Sequence, residues 1–228
     1  MPGEKHLIVN ADDFGYSAGV NRGVVECHER GIVTSASLMV RGRAVREAVS
    51  LSRERPGLSI GLHWDVSGEG QRAFDLENGA AVRDELRRQL EEFDRLLGRR
   101  PTHVDSHHHV HRSERVLPIV RELVEPLGVP LRGDGEVRYV GGFYAQWEWK
   151  VTNLRYVSVE FLQRLLRDEV GEGWTELSCH PGYVAAGDAT VYAKEREVEV
   201  QTLTDPGVRR TIEELGIRLA SFGDYDGS

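Results

Sequence analysis

The feature that most constrains the fold is a regular alternation of short apolar runs with longer helical patterns. Runs typical of buried strands occur at 7–12, 35–40, 59–64, 103–111, 129–132, 176–179 and 218–222. Helical patterns lie between them at 18–30, 44–55, 82–97, 116–127, 161–170 and 208–215. Such alternation indicates crossover units and a parallel sheet. We expect one α/β domain over 1–228, a TIM-like (β/α) barrel of regular, incomplete or distorted form, rather than an open doubly wound sheet.

Local signals mark several helix ends. Gly31 follows the first helix and Gly98 follows the third, where a glycine typically ends a helix. Ser158 can cap the helix at 161–170 with its hydroxyl. These ends are predicted from neighbouring residues alone.

The alternation fails between 133 and 152, where aromatic residues accumulate instead. They are Tyr139, Phe143, Tyr144, Trp147 and Trp149. We expect an aromatic loop or hairpin here. Packing of the loop is one explanation, and a wall that faces a sugar or a partner is the other.

Composition limits the classes of protein to which this chain can belong. Apolar residues make up 39% of the 228 residues and charged ones 29%, which is typical of a soluble globular protein. No stretch approaches the roughly 18 apolar residues of a spanning helix, and the N-terminus carries no recognisable signal or transit peptide. A net charge of -8 disfavours nucleic-acid binding. Two distant cysteines make a poor disulfide framework, so we expect a cytoplasmic protein. We expect no membrane or nucleic-acid partner, and the sequence leaves open whether the protein forms a homo-oligomer.

Residues that can bind a metal or titrate follow four of the predicted strands. They are Asp12 and Asp13 after the first, His63 after the third, His107 within "HVDSHHHVH" on the fourth, and His180 after the strand at 176–179. Parallel α/β folds build their sites at the carboxyl ends of strands, because the loops there converge while the core stays apolar. We therefore expect these side chains to meet at one rim of the barrel.

The histidine segment is the least ambiguous part of this pattern. Alone, the Asp12–Asp13 pair can be a turn or helix cap, and His63 a hydrogen-bonded core imidazole. Five imidazoles within 103–111 would crowd a core with unsatisfied donors, so a metal role is favoured there. If the strand continues through the segment, His107, His109 and His111 share one face with Asp105. His107 is then the first choice of ligand, and the other two are alternatives or orient a ligand.

This set of residue types permits hydrolysis of an acyl bond. One carboxylate and two imidazoles leave coordination positions open for water and substrate on a catalytic divalent ion. Asp13 can bind the ion while Asp12 takes the proton of the water, and His180 can protonate the departing group. The backbone N–H of Phe14 is a candidate donor to the oxyanion. Arg132, at the end of the strand predicted at 129–132, is a further candidate for substrate binding.

Four segments also carry a family resemblance. They are "LIVNADDFGYSAGVNRGVVECHERGIVTSASLMV", "IGLHWDV", "PTHVDSHHHVH" and "ELSCHPGY". In this order, over residues 7–183, they resemble the signature blocks of the YdjC-like carbohydrate deacetylases, a group that includes chitooligosaccharide deacetylases. The resemblance implies an incomplete or distorted (β/α) barrel that removes acetyl groups from small N-acetylated carbohydrates.

The resemblance also implies roles for single residues. It assigns one divalent ion, usually described as magnesium, to Asp13, His63 and His107. Asp12 would be the base and His180 the acid. Nitrogen-rich ligation by itself favours zinc, so the native metal stays open. "SGEGQRAFDLENGA" after the Gly-Leu-His block is short and lacks the Gly-Lys-Pro stretch of many family members, which leaves the sugar and its length open.

Other functions compete with this one. A metal-dependent hydrolase of a phosphoester or cyclic amide would use similar ligands, although such barrels commonly begin with a His-x-His on the first strand. A two-histidine, one-carboxylate set also suits non-haem iron oxygenases, but their usual all-β scaffold disagrees with the helical periodicity here. A metal-storage or metal-sensing module would bind several ions per chain and would depend little on Asp12 and His180.

Overall fold

A computed structural model describes residues 3–66, 74–148, 150–184 and 190–227. Its described strands are β1 (Lys5–Phe14), β2 (Ser35–Leu38), β3 (Ser59–Trp64), β4 (Val104–Ser106), β5 (Arg138–Val140), β6 (Gly173–Cys179) and β7 (Ile217–Leu219). The helices are α1 (Ala18–Arg30), α2 (Val45–Arg53), α3 (Gly79–Leu97), α4 (Leu117–Val124), α5 (Val159–Glu169), α6 (Lys194–Leu203) and α7 (Pro206–Glu214). Short 3₁₀ turns cover His107–Arg112, Glu125–Leu127, Leu154–Val157 and Phe222–Asp224. Trp149 and residues 67–73, half of the short segment after the Gly-Leu-His block, lie outside the described residues.

The strands form a parallel sheet in the order β4-β3-β2-β1-β6-β5, and β7 pairs with the beginning of β1. The sheet curls into a half-barrel whose edge strands are β4 and β5. The predicted α/β fold, a TIM-like barrel of incomplete form, is therefore confirmed. No helix among the described residues is both long enough and apolar enough to cross a lipid bilayer.

The curl of the sheet separates two kinds of core. Leu7, Val9 and Ala11 of β1 belong to the large apolar cluster between the sheet and the helices. The alternate residues point the other way: Ile8 packs against Phe222, and Asn10 donates hydrogen bonds to Asp12 on the same strand and to Ser37 on β2. Because side chains of a strand alternate between its faces, the barrel interior receives a polar layer directly below the carboxyl ends of the strands.

Several predicted elements are confirmed by the structure, and local sequence signals explain why. α1 has the predicted bounds, with the Ser17 hydroxyl accepting from Val20 N at 3.2 Å and Gly31 at its end. β3 also has the predicted bounds. Gly98 ends α3 with a left-handed φ of 68°, a conformation that glycine adopts without steric cost.

Four sequence predictions need correction. The histidine strand ends at Ser106, and the 3₁₀ turn that follows carries two left-handed residues, His108 and His109, with φ of 55° and 53°. The segment at 129–132 makes only isolated bridges at Leu131. The irregular stretch at 133–152 contains β5, whose three residues are too short for a recognisable pattern. Helix α6 was not predicted, because it buries Glu195, Arg196 and Glu199 and so lacks a clean apolar stripe.

The predicted Ser158 cap is present and provides a test of local stability. Its hydroxyl accepts from Phe161 N at 3.3 Å at the first turn of α5. We expect Ser158→Ala to lower the free energy of unfolding by about 1 kcal/mol, since a helix N–H loses its partner. Urea denaturation measures the change. Ser158→Asp, which restores an acceptor, should remain close to the parent protein, and an equal loss in both variants would contradict the capping role.

Candidate functional site

The three predicted metal ligands come together at the carboxyl ends of β1, β3 and β4. Asp13 Oδ1 lies 3.2 Å from His63 Nε2 and 3.1 Å from His107 Nδ1. The two imidazole nitrogens are 3.3 Å apart. The three side chains therefore offer one oxygen and two nitrogens to a single point, which is a geometry that can hold one metal ion.

A backbone irregularity explains how two consecutive aspartates reach the same place. Neighbouring side chains of a regular strand point to opposite faces. Asp13 has a left-handed φ of 66°, and the register between β1 and β2 shifts between Ala11 and Phe14. This bulge turns both Asp12 and Asp13 into the same cavity. A left-handed backbone is less costly for aspartate than for most residues, because its short side chain is tolerated there.

The hydrogen bonds around these ligands fit a bound cation. Asp13 Oδ2 accepts from Arg196 Nη2 at 2.5 Å, whereas Oδ1 is buried and has no hydrogen-bond partner among the described residues. His63 Nδ1 lies 2.5 Å from Asp105 Oδ1, which orients the ring so that Nε2 faces Asp13. Such a carboxylate behind an imidazole is common for metal-binding histidines. Asp13 Oδ1, which lies between the two imidazole nitrogens and accepts no hydrogen bond among the described residues, is thus the atom that a cation would satisfy.

Charges in this part of the site hold two pKa values far from their ordinary ranges. Burial opposes ionisation of Asp13, but the Arg196 guanidinium and His107 keep the pKa of Asp13 well below its usual value. Burial would lower the pKa of His63, yet the Asp105 carboxylate raises it well above the usual value. A metal ion that binds here therefore has to displace a proton from His63, as imidazole ligands generally require.

The predicted acid–base pair lies beside the ligands. Asp12 Oδ2 is 3.7 Å from His180 Nε2, and both side chains line the cavity. Burial by itself would raise the pKa of Asp12, but the Arg132 guanidinium and His63 together bring it below its usual value, so the carboxylate is ionised at neutral pH. Burial lowers the pKa of His180 to about 4, and its Nδ1 has no hydrogen-bond partner among the described residues.

The position of Arg132 corrects its predicted role. Its side chain is fully buried and does not line the cavity among the described residues. It donates two hydrogen bonds to the oxygens of Asp12, at 2.6 and 2.7 Å, and also contacts Asp105 at 2.8 Å and Glu176 at 2.7 Å. A group enclosed by three carboxylates is out of reach of a substrate. Arg132 instead holds Asp12 in place and keeps it charged.

Phe14 fits its predicted role only through the backbone. Its side chain is fully buried in the apolar core, so it is not part of the cavity wall. The donation of its N–H to an oxyanion stays a prediction.

The turn after Ser106 gives the other histidines separate partners. His109 Nε2 lies 3.2 Å from the Tyr139 hydroxyl, and His111 lies between the Ser106 hydroxyl and the Arg132 carbonyl. Because the strand does not continue, they do not share a face with Asp105, and the predicted alternation beyond His107 is wrong. Neither belongs to either of the two groups of three converging ligand atoms among the described residues, Asp13, His63 and His107 or Asp12, His63 and Asp105.

Two residues of α6 were missed by the sequence analysis. Arg196 donates to Asp13 Oδ2 and also to the His180 carbonyl at 3.2 Å. Glu199 accepts from the His180 backbone N–H at 2.5 Å and from the Tyr192 hydroxyl at 2.6 Å. Burial raises the pKa of Glu199 to about 8. The only signal for these roles was the high charge of 194–199, which is equally typical of a solvated helix.

The site opens into a cavity of about 1010 Å³. Its floor contains the proposed ligands together with Asp12 and His180. Its walls carry the aromatic residues Tyr16, Tyr139, Tyr144, Trp147 and Tyr192. A cavity of this size, with a few convergent polar groups and aromatic walls, suits a small organic ligand.

Comparisons with known proteins show the family to which this chain is similar. The family profile of YdjC-like proteins matches residues 6–214. The chitooligosaccharide deacetylase of Serratia marcescens is 36% identical, over 97% of this chain and 99% of the relative. The carbohydrate deacetylase of Geobacillus stearothermophilus is 35% identical, over 97% and 98%. The alignment with the Serratia protein runs over 267 positions, so that relative contains residues that this 228-residue chain lacks.

Solved structures show the same fold. The proposed cellobiose-phosphate cleavage protein of Enterococcus faecalis V583 superposes with a TM-score of 0.78 at 28% identity, over 96% of this chain and 98% of that one. A family 4 carbohydrate esterase from Streptomyces lividans superposes with a TM-score of 0.59 over 97% and 96%, and its 13% identity makes this a likeness of fold alone. The profile match over most of the chain and the relatives at 35% and 36% identity show that this protein belongs to the YdjC-like family.

Proposed function

We propose that the protein is a metal-dependent deacetylase that hydrolyses the acetamide group of small N-acetylated carbohydrates. The observation that carries this proposal is the convergence of Asp13, His63 and His107 around the unpaired Asp13 oxygen, with Asp12 and His180 beside them at one cavity. The relatives are named chitooligosaccharide deacetylase and carbohydrate deacetylase, which supports an acetylated carbohydrate as the substrate. Two free, buried cysteines support a cytoplasmic location as part of the same proposal.

Asp13, His63 and His107 would hold one divalent ion. Such an ion would lower the pKa of a water molecule and polarise the acetyl carbonyl. Two imidazoles among three donors favour zinc or another transition metal over magnesium, which the family resemblance implies. Metal analysis of the purified protein distinguishes the two.

The remaining residues would perform the proton transfers. Asp12 accepts a proton from the attacking water as the water oxygen bonds to the acetyl carbon. Burial keeps the resting His180 neutral, with a pKa of about 4, so the proton that it passes to the leaving nitrogen as the C–N bond breaks is the one that Asp12 has taken from the water. This step releases acetate and a free amine. The 3.7 Å between Asp12 Oδ2 and His180 Nε2 supports this division of roles, because groups at that distance can both reach one reacting bond. Arg132 keeps Asp12 oriented throughout.

The test is acetate release from N-acetylated chitooligosaccharides in the presence of a divalent ion. We expect Asp12→Asn and His180→Ala each to lower kcat by about 100-fold to 10,000-fold, because each removes one proton transfer. Both variants should still bind one ion per chain, since the three ligands are intact. Asp84→Asn on the outer face of α3 and His6→Ala at the far end of β1 are matched controls that should retain activity.

Two results would overturn the proposal. The first is no acetate from any N-acetylated sugar with the parent protein. The second is full activity in both Asp12→Asn and His180→Ala. Several ions per chain would favour the metal-storage alternative instead.

A further inference from the structure

Exposed apolar surface is concentrated at the mouth of the cavity. Among the described residues, the large apolar side chains that are exposed are Trp147 at 61%, Val151 at 52% and Val191 at 48%. Trp147 and Val191 line the cavity. A large aromatic ring left open beside a site of this kind indicates a surface that a ligand covers.

Polar contacts from buried residues hold Trp147 at this position. The Gln146 side-chain amide donates to the Val191 carbonyl at 2.8 Å and to Glu195 Oε1 at 2.7 Å. The Thr152 hydroxyl donates to the same Glu195 oxygen. Gln146 and Glu195 are both buried. The turn that carries Trp147 is thus anchored on both sides, so the exposure of the ring is built into the fold.

A row of aromatic rings connects Trp147 with the site. Trp147 meets Tyr144 edge-on, with ring centroids 6.1 Å apart. Tyr144 stacks on Tyr192 at 4.9 Å, and the two tyrosine rings lie 5.5 and 5.7 Å from the His180 ring. The Tyr192 hydroxyl is fixed because it donates to Glu199 and accepts from Ala145 N. One wall therefore runs from the proposed acid to the mouth.

The chemistry of this wall indicates what covers it. A sugar ring has apolar C–H faces that pack on aromatic rings, and hydroxyl groups at its edge that need hydrogen-bonding partners. Trp147 supplies the ring face, and Thr190 and Arg112 supply polar groups on the same cavity. An apolar protein partner would cover these polar groups without offering them hydrogen-bonding partners.

We propose that Trp147, with Tyr144 behind it, binds a sugar ring adjacent to the one whose acetyl group is removed. The inference rests on the proposed function and extends it, because it assigns the contact with a neighbouring sugar ring to a particular side chain. It also assigns a role to the aromatic segment 139–148.

The test compares kcat/KM for N-acetylglucosamine and its linear trimer. We expect Trp147→Ala to lower the ratio of trimer to monomer by about tenfold, mainly through KM of the trimer, because a ring contact is lost. Trp147→Phe should keep most of the ratio, since phenylalanine retains an aromatic face. Val151→Ala is the matched control. Val151 lies on the same turn and is also exposed, but it is not among the described residues that line the cavity. The trimer-to-monomer ratio of this variant should therefore equal that of the parent.

A binding measurement makes the test independent of turnover. Calorimetric titration of the trimer into protein treated with a chelator should show weaker binding for Trp147→Ala than for the parent and Val151→Ala. If the parent releases no acetate but this difference persists, the proposed function fails and the sugar-binding role of Trp147 stands. Equal binding of the trimer by all variants, or an unchanged ratio, overturns that role. If Trp147→Ala instead converts a dimer to a monomer in ultracentrifugation with an unchanged ratio, the patch is an interface between copies and the proposal is overturned.

Discussion

Asp13→Asn is expected to abolish stoichiometric metal binding and to lower kcat/KM about 1000-fold, because the contribution of a catalytic cation is several kcal/mol. The substitution removes the charge and replaces one oxygen by an NH2 group while preserving the shape of the side chain. Because Arg196 donates to this side chain, the remaining oxygen should face Arg196 and the NH2 group the imidazoles, where it cannot bind a cation. Asparagine also tolerates the left-handed backbone at this position, so the bulge should persist. Metal content by mass spectrometry and initial rates of acetate release are the measurements.

Histidine variants provide the matched comparison for this experiment. His107→Gln should lose the metal as Asp13→Asn does. His109→Gln should keep about one ion per chain, because His109 contacts Tyr139 and is not one of the three converging ligands. Metal retained at parent affinity in Asp13→Asn would contradict the site. Metal lost in His109→Gln but kept in His107→Gln would show that the ligand set is different.

Arg132→Met is expected to lower the free energy of unfolding by about 3 to 5 kcal/mol. Arg132 is the cation shared by three buried carboxylates, Asp12, Asp105 and Glu176. Its removal takes away the guanidinium that these buried carboxylates share, and burial already raises the pKa of Glu176 to about 7 with the arginine present. Guanidinium chloride unfolding measures the loss.

Exposed arginine pairs should behave differently. Arg121 contacts Asp134 on the surface, so Arg121→Met is the matched control and should produce a much smaller change. Arg132→Lys should lie between the two, because lysine restores a charge but cannot donate to both oxygens of Asp12 at once. Equal stability of Arg132→Met and Arg121→Met would contradict the buried cluster.

Much of the fold was predictable because its signals are local. The Ser17 cap and Gly31 bound α1, and Gly98 ends α3, without help from distant residues. The alternation of strands and helices predicted the parallel sheet, and parallel strands bring their carboxyl ends to one edge. That rule predicts that the polar groups after four strands meet at one rim, and the family resemblance selects Asp13, His63 and His107 among them as metal ligands.

The errors lie where local sequence is a poor guide. The left-handed turn at His108 and His109 contains no glycine, which is the usual sequence signal for such a backbone, so the sequence predicts that the strand continues. Helix α6 is missed because its inward face carries polar residues and so gives no apolar helical pattern. Arg132, at the end of a predicted strand, is a candidate for substrate binding from the sequence, whereas in the structure three carboxylates enclose it.

The amino-acid sequence by itself determined the fold class, the family and the residues that meet at the rim of the barrel. Only the tertiary structure decided which group each of them contacts: Arg132 pairs with Asp12 across 120 positions of the chain, and Arg196 with Asp13 across 183. The physical reason is that strand and helix patterns arise from neighbouring residues. The pairing of buried charges depends on which distant side chains share the same small volume once the sheet has curled.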